Sequence, residues 1–198
     1  MKTTILSLLL AVYLILRFFF TQWLDAFGSY SAYILEVILI IVATTITWPK
    51  IKNLWLFNKP IGIITLAAFG CGYAVFKAAG FLDIIIPFDF SGTETLLFLL
   101  IIAPTLEELI FRFFAWIPFE RLNKGFAYLA TSLLFAYSHF HAYWFYGEEI
   151  HKFIFYQTAY TFLLALACGY SVYKFRSLVG AILIHFAFNL GFYLGFVF

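Results

Sequence analysis

Apolar runs long enough to cross a bilayer recur about seven times along this chain, with only short polar stretches between them. A crossing helix needs about 20 such residues. The runs fall at Thr4 to Leu24, Ser29 to Trp48, Pro60 to Gly80, Thr93 to Phe119, Gly125 to Tyr146, Phe153 to Tyr173 and Leu178 to Phe198. The expected fold is therefore all-α, a polytopic transmembrane helix bundle of about seven spans. No linker or internal repeat divides it, so residues 1–198 form a single integral-membrane domain. Only 11% of the residues are charged, against about 25% in a soluble domain. The net charge of +2 comes with no basic tract, which excludes nucleic acid as a partner. After Met1-Lys2 and the first apolar run come Arg17, a run of phenylalanines and Gln22 rather than a small-residue cleavage pattern. That run is expected to stay as the first helix.

The basic residues give an orientation. Lys2, Lys50, Lys52, Lys59, Arg121, Lys124, Lys174 and Arg176 fall on one side of the predicted spans, and Lys77 and Lys152 on or near the other. The positive-inside rule then puts the N-terminus in the cytoplasm and the C-terminus outside. The acidic Asp25, Asp83, Asp89, Glu94, Glu148 and Glu149 collect on the outer side. Phe81 to Phe90 is too short to span and is expected to lie at the interface as an amphipathic turn. Cys71 and Cys168 sit in apolar runs without C-x-x-C spacing and read as small core residues.

The fourth run breaks the apolar rule. Near its middle it carries Glu107, Glu108 and Arg112. Ionisable residues at membrane depth cost about 2.5–3.5 kcal/mol each on insertion scales and are functional candidates by default. Glu108 and Arg112 are four apart on a helix, so they share a face and can pair. Glu107 points about 100° away. It needs a partner from another helix, or it carries a proton. Pro104, one turn upstream, has no N–H and frees a carbonyl around Leu100, with a kink.

Two further runs carry polar pairs at the same spacing. Phe135 and His139 share one face in the fifth run, and His185 and Asn189 share one in the seventh. A single histidine in such a helix is more often a hydrogen-bonded packing residue than a catalyst. Three runs with buried polar groups are a different matter, because polar groups in hydrocarbon must find each other. Converged, they would supply a base (Glu107), a proton carrier (His139) and two hydrogen-bond donors (His185, Asn189), the parts needed for water attack on a carbonyl. Ser132 is expected to bond backbone and Ser138 to point elsewhere, so a covalent nucleophile is disfavoured. His141 and His151 read as interfacial. Glu36 reads as a neutral acid hydrogen-bonded to a serine or threonine on a neighbour, with Arg17 snorkelling or pairing with it.

E-E-x-x-x-R at Glu107 to Arg112, F-x-x-x-H at Phe135 to His139 and H-x-x-x-N at His185 to Asn189 resemble the three motifs of the CPBP family. These are the CAAX-protease and bacteriocin-processing (Abi) proteins, related to the Ras-converting CAAX endopeptidases. The resemblance covers residues 93–198 as the catalytic core, with 1–92 as variable N-terminal helices. It implies a glutamate-dependent intramembrane endopeptidase in a bacterial cytoplasmic membrane, acting on a protein or peptide substrate without a cofactor or metal. Glu107 with His139 would activate water, and His185 with Asn189 would stabilise the oxyanion. Glu108 and Arg112 would be structural or substrate-orienting.

Three alternatives stay open. A zinc peptidase could use His139, His185 and a glutamate, although no H-E-x-x-H is present. A non-catalytic immunity or binding protein could keep the same cavity. A proton-coupled transporter would also bury Glu and His, but no repeated halves with broken helices are evident. Nothing in the residues sets the oligomeric state.

Overall fold

The computed structural model describes residues 2–26, 28, 30–47, 54 and 56–198. Ser29, Trp48, Lys50 and Lys52 lie outside the described residues, as do the side chains of Lys2 and Asp25. All regular structure among the described residues is helical. The principal helices are α1 (Lys2–Phe19), α2 (Thr21–Ala26), α3 (Ser31–Thr47), α4 (Lys59–Phe81), α5 (Thr93–Leu97), α6 (Ala103–Glu108), α7 (Trp116–Glu120), α8 (Lys124–Phe140), α9 (His151–Phe175) and α10 (Leu178–Val197).

The expected count of about seven spans is not confirmed. Among the described residues, α4, the stretch Glu148–Phe175 that includes α9, and α10 are the helices both long and apolar enough to cross a membrane. The first run breaks at Phe20, so α1 and α2 are separate, and α3 is also short. The fourth run is divided into α5, α6 and α7 by two wider π turns, Phe98–Ile102 and Leu109–Phe114. The fifth run is helical to Phe140 and then tightens into a 3-10 turn, His141–Trp144.

Local chemistry sets the helix starts. The Asn58 side chain accepts from the Ile61 N–H at the start of α4, where Pro60 needs no partner for a missing donor. Asn123 does the same for Gly125 and Phe126 of α8, and Ser177 for Gly180 of α10. The basic ends meet at one end of the bundle. Arg176 pairs with Glu120, Lys124 lies 4.7 Å from the Tyr173 ring, and the Ser177 hydroxyl donates to the Leu56 carbonyl.

The stretch after α4 folds back as a strap, exposed over most of its length and buried at Phe90. Lys152 donates to the carbonyls of Leu82 and Asp83. Phe90 is buried among Phe76, Phe192 and Phe196. Hydrogen bonds from Ser91 hold the Asp89 carboxyl below its usual pKa at the strap's end.

Helix α10 crosses α4 at backbone contact. A Cβ on Gly72 would overlap the Phe188 carbonyl, and one on Gly191 would overlap the Phe69 carbonyl. This crossing fixes the rotation of α10 about its axis and therefore where His185 and Asn189 point. Gly191→Ala is expected to cost about 1–3 kcal/mol by overpacking, more than the ~1 kcal/mol that alanine gains in a helix. Gly70→Ala, with nothing near its Cβ, is the control and should be neutral or mildly stabilising. Thermal unfolding in detergent compares the two.

Several expectations are corrected here. Glu36 is buried and accepts from the hydroxyl of a tyrosine, Tyr13, at 2.8 Å. No Glu36–Arg17 ion pair occurs among the described residues. His141 is buried, and its ring nitrogen lies 2.8 Å from the Phe18 carbonyl. Cys168 is buried as expected, but Cys71 is exposed on α4.

Candidate active site

The site starts from Arg112, fully buried in the second π turn. A guanidinium so placed must satisfy its donors within the protein. Its Nε donates to Glu108 Oε2 at 3.1 Å, on the i, i+4 spacing. Its Nη1 reaches the hydroxyls of Thr131 at 2.8 Å and Ser132 at 3.4 Å on α8, and its Nη2 reaches the Ala165 carbonyl of α9 at 2.9 Å. Thr131 and Ser132 pass their own protons to backbone carbonyls one turn back, which turns their oxygens toward the cation. The Phe135 ring lies 5.7 Å from the guanidinium, close enough for cation–π attraction. Arg112 thus ties α6, α8 and α9 together.

Glu108 is equally buried, and its second oxygen, Oε1, meets Nδ1 of His185 at 3.0 Å. A carboxylate paired with a guanidinium only accepts, so His185 donates from Nδ1. In the neutral ring, Nε2 then carries the lone pair. That nitrogen lies 3.8 Å from Glu107 Oε2. The His185–Glu108–Arg112 chain holds the imidazole in one tautomer with its other face toward Glu107. The sequence could not reveal the His185–Glu108 bond, because it joins α10 to α6 across 77 positions.

Glu107 differs from its neighbour. No arginine or lysine pairs with it among the described residues, and 31% of its side chain is open, against 0% for Glu108. Its opening is a cavity of about 230 Å³ lined by Glu107, His139, His185 and Asn189. All four proposed catalytic residues therefore meet one space. Two other motif residues, Glu108 and Arg112, lie behind it in the wall.

His139 lies 3.0 Å from the Phe135 carbonyl through Nδ1. A carbonyl only accepts, so this ring too carries its proton on Nδ1 and leaves Nε2 as an acceptor. Phe135 is the partition. Its ring centre is 5.0 Å from that of His139 and 5.6 Å from that of His185.

Asn189 donates from Nδ2 to the Leu99 carbonyl at 2.8 Å. The reason lies in the first π turn. There the Ala103 N–H bonds Phe98 O, five residues back. The next partner in that register would be Leu99 O, and the next donor would be Pro104, which has none. The orphaned carbonyl is Leu99, one position before the Leu100 that α-helical spacing would free. The asparagine amide satisfies it with one of its two hydrogens and keeps the other.

Metal binding needs three donors in one place. Among the described residues no group of three His, Cys, Asp or Glu side chains is so arranged.

Sequence reasoning missed the rest of the cavity wall. Phe88 and Phe90 come from the strap, Gln157 and Tyr160 from α9, and Phe188 and Phe192 from α10. Of these only Phe188 and Phe192 carry a sequence signal, since they lie three residues from His185 and Asn189 on one helix face.

The chain belongs to the type II CAAX prenyl endopeptidase Rce1-like family, whose model matches residues 90–191. That stretch takes in all seven motif residues. No curated protein and no solved structure matches the chain. Membership places the chain in a family of endopeptidases, integral to the membrane and acting on a peptide or protein.

Proposed function

We propose that this protein is a metal-independent intramembrane endopeptidase in which Glu107 activates water against a peptide carbonyl. The observation that carries this reading is the one cavity shared by Glu107, His139, His185 and Asn189. Glu107 is the free carboxylate of the pair and can take a proton from a water it holds. His139 offers an acceptor nitrogen to the same water and orients it. As the water oxygen bonds the carbonyl carbon, its proton passes to Glu107 and the carbonyl electron pair moves onto oxygen. Collapse of that intermediate breaks the C–N bond, and the leaving amine takes the proton from Glu107.

The oxyanion is met by the remaining amide hydrogen of Asn189. His185 joins it only after receiving a proton, since its neutral ring turns a lone pair toward the cavity. That proton comes from solvent before the attack, so the one that Glu107 takes from the water is still there for the leaving amine. Glu108 and Arg112 hold His185 and stand outside the chemistry. We place the N-terminus in the cytoplasm of a bacterial cell, supported by the basic residues gathered at one end of the bundle.

The test is hydrolysis of an internally quenched apolar peptide by protein in liposomes, with and without a chelator. Activity is expected to stay within about twofold after chelation, because no step passes through a metal. Loss on chelation with recovery on adding zinc would overturn the metal-free mechanism.

A further inference from the structure

The cavity has two ends of different chemistry. One end is the polar quartet. The other is aromatic, and the proposed mechanism does not use it. Phe88, Phe90, Tyr160, Phe188 and Phe192 line it. Their rings form a continuous wall. Phe88 is 6.0 Å from Phe90, Phe90 is 6.2 Å from Phe192, and Tyr160 is 5.7 Å from Phe188 and 5.8 Å from Phe192.

Helix α10 sets the order along this space. His185, Phe188 with Asn189, and Phe192 follow one another at one-turn spacing, so the polar groups grade into the aromatic ones. Phe88 and Phe90 of the strap line the aromatic end. The volume of about 230 Å³ is below the roughly 300–1,000 Å³ of ordinary ligand pockets. It suits an extended backbone with one large side chain rather than a folded segment.

We propose that this aromatic end is a specificity subsite that receives one large apolar side chain beside the bond to be cut, and that Phe88 of the strap sets its size. This rests on the endopeptidase reading. Phe88 is 41% exposed and packs on Phe153 at 5.3 Å, so it can be changed without emptying the core. It also precedes the family-matched stretch, which begins at residue 90.

Wild-type, Phe88→Ala and Phe88→Trp proteins in phosphatidylcholine liposomes are given an equimolar set of apolar dodecapeptides varied at one central position. Mass spectrometry reads the cuts. The wild type should prefer Phe, Tyr, Leu and Met over Gly and Ser at the variable position by about tenfold or more, as one filled apolar pocket allows. Phe88→Ala should lower that ratio about fivefold or more, and Phe88→Trp should move the preference to Ala and Val. A merely structural change would lower all cleavage alike and leave the preference in place, and that result overturns the subsite. Binding of the same peptides to Glu107→Gln protein, read by fluorescence anisotropy, separates the two layers of the argument. A Phe88-dependent preference in binding without any cleavage by the wild type would sink the peptidase and keep the subsite. No such preference in either assay would sink the subsite.

Discussion

Glu107→Gln protein is expected to lose about 10²–10⁴-fold in kcat, the usual contribution of a positioned base, with its thermal midpoint unchanged. Glutamine has nearly the same shape, but its neutral amide cannot take a proton from water. The fold should not notice. Glu107 sits at the open edge of the cavity with 31% of its side chain free, and the Arg112 network does not include it. Peptide hydrolysis and a thermal melt on the same sample check both halves. Full activity in this variant would remove the glutamate from the mechanism.

The second large effect is on stability. Arg112→Met should cost about 3–5 kcal/mol, because it leaves the Glu108 carboxylate buried without its cation. The loss spreads. Thr131, Ser132 and the Ala165 carbonyl lose their common partner, and His185 is left on an unbalanced acid. Replacing both members, Glu108→Leu with Arg112→Met, should recover much of the lost stability, since apolar packing often matches a buried pair. It should not recover activity, because nothing then holds His185 through Nδ1. Melting in detergent and hydrolysis in liposomes, run on the single and the double variant, separate the two consequences. A single variant as stable as the wild type would contradict the role given to Arg112.

What the sequence disclosed follows from local geometry. Glu108 to Arg112, Phe135 to His139 and His185 to Asn189 are all four residues apart, and helical spacing alone puts each pair on one face. Bilayer energetics then argues for their convergence. The parts that stayed hidden depend on contacts between distant segments or on small departures from α-helical register. The Glu108–His185 bond joins α6 to α10, and the rotation of α10 is set by its crossing of α4 at Gly72 and Gly191, which nothing local encodes. Pro104 signalled a freed carbonyl, but the π turn moved it from Leu100 to Leu99. The same two π turns, with the break at Phe20, interrupt apolar runs that are continuous in the sequence. In Phe81 to Phe90 the burial of Phe90 comes from Phe76 of α4 and from Phe192 and Phe196 of α10, partners that nothing local encodes.

The most direct measurement compares the membrane peptides of cells carrying the wild-type protein with those of cells carrying Glu107→Gln protein at equal abundance. Mass spectrometry should find a defined set of fragments in the first and the corresponding uncut precursors in the second. Identical peptide contents in the two, with both proteins folded in the membrane, would contradict the claim that these gathered side chains cleave peptide bonds.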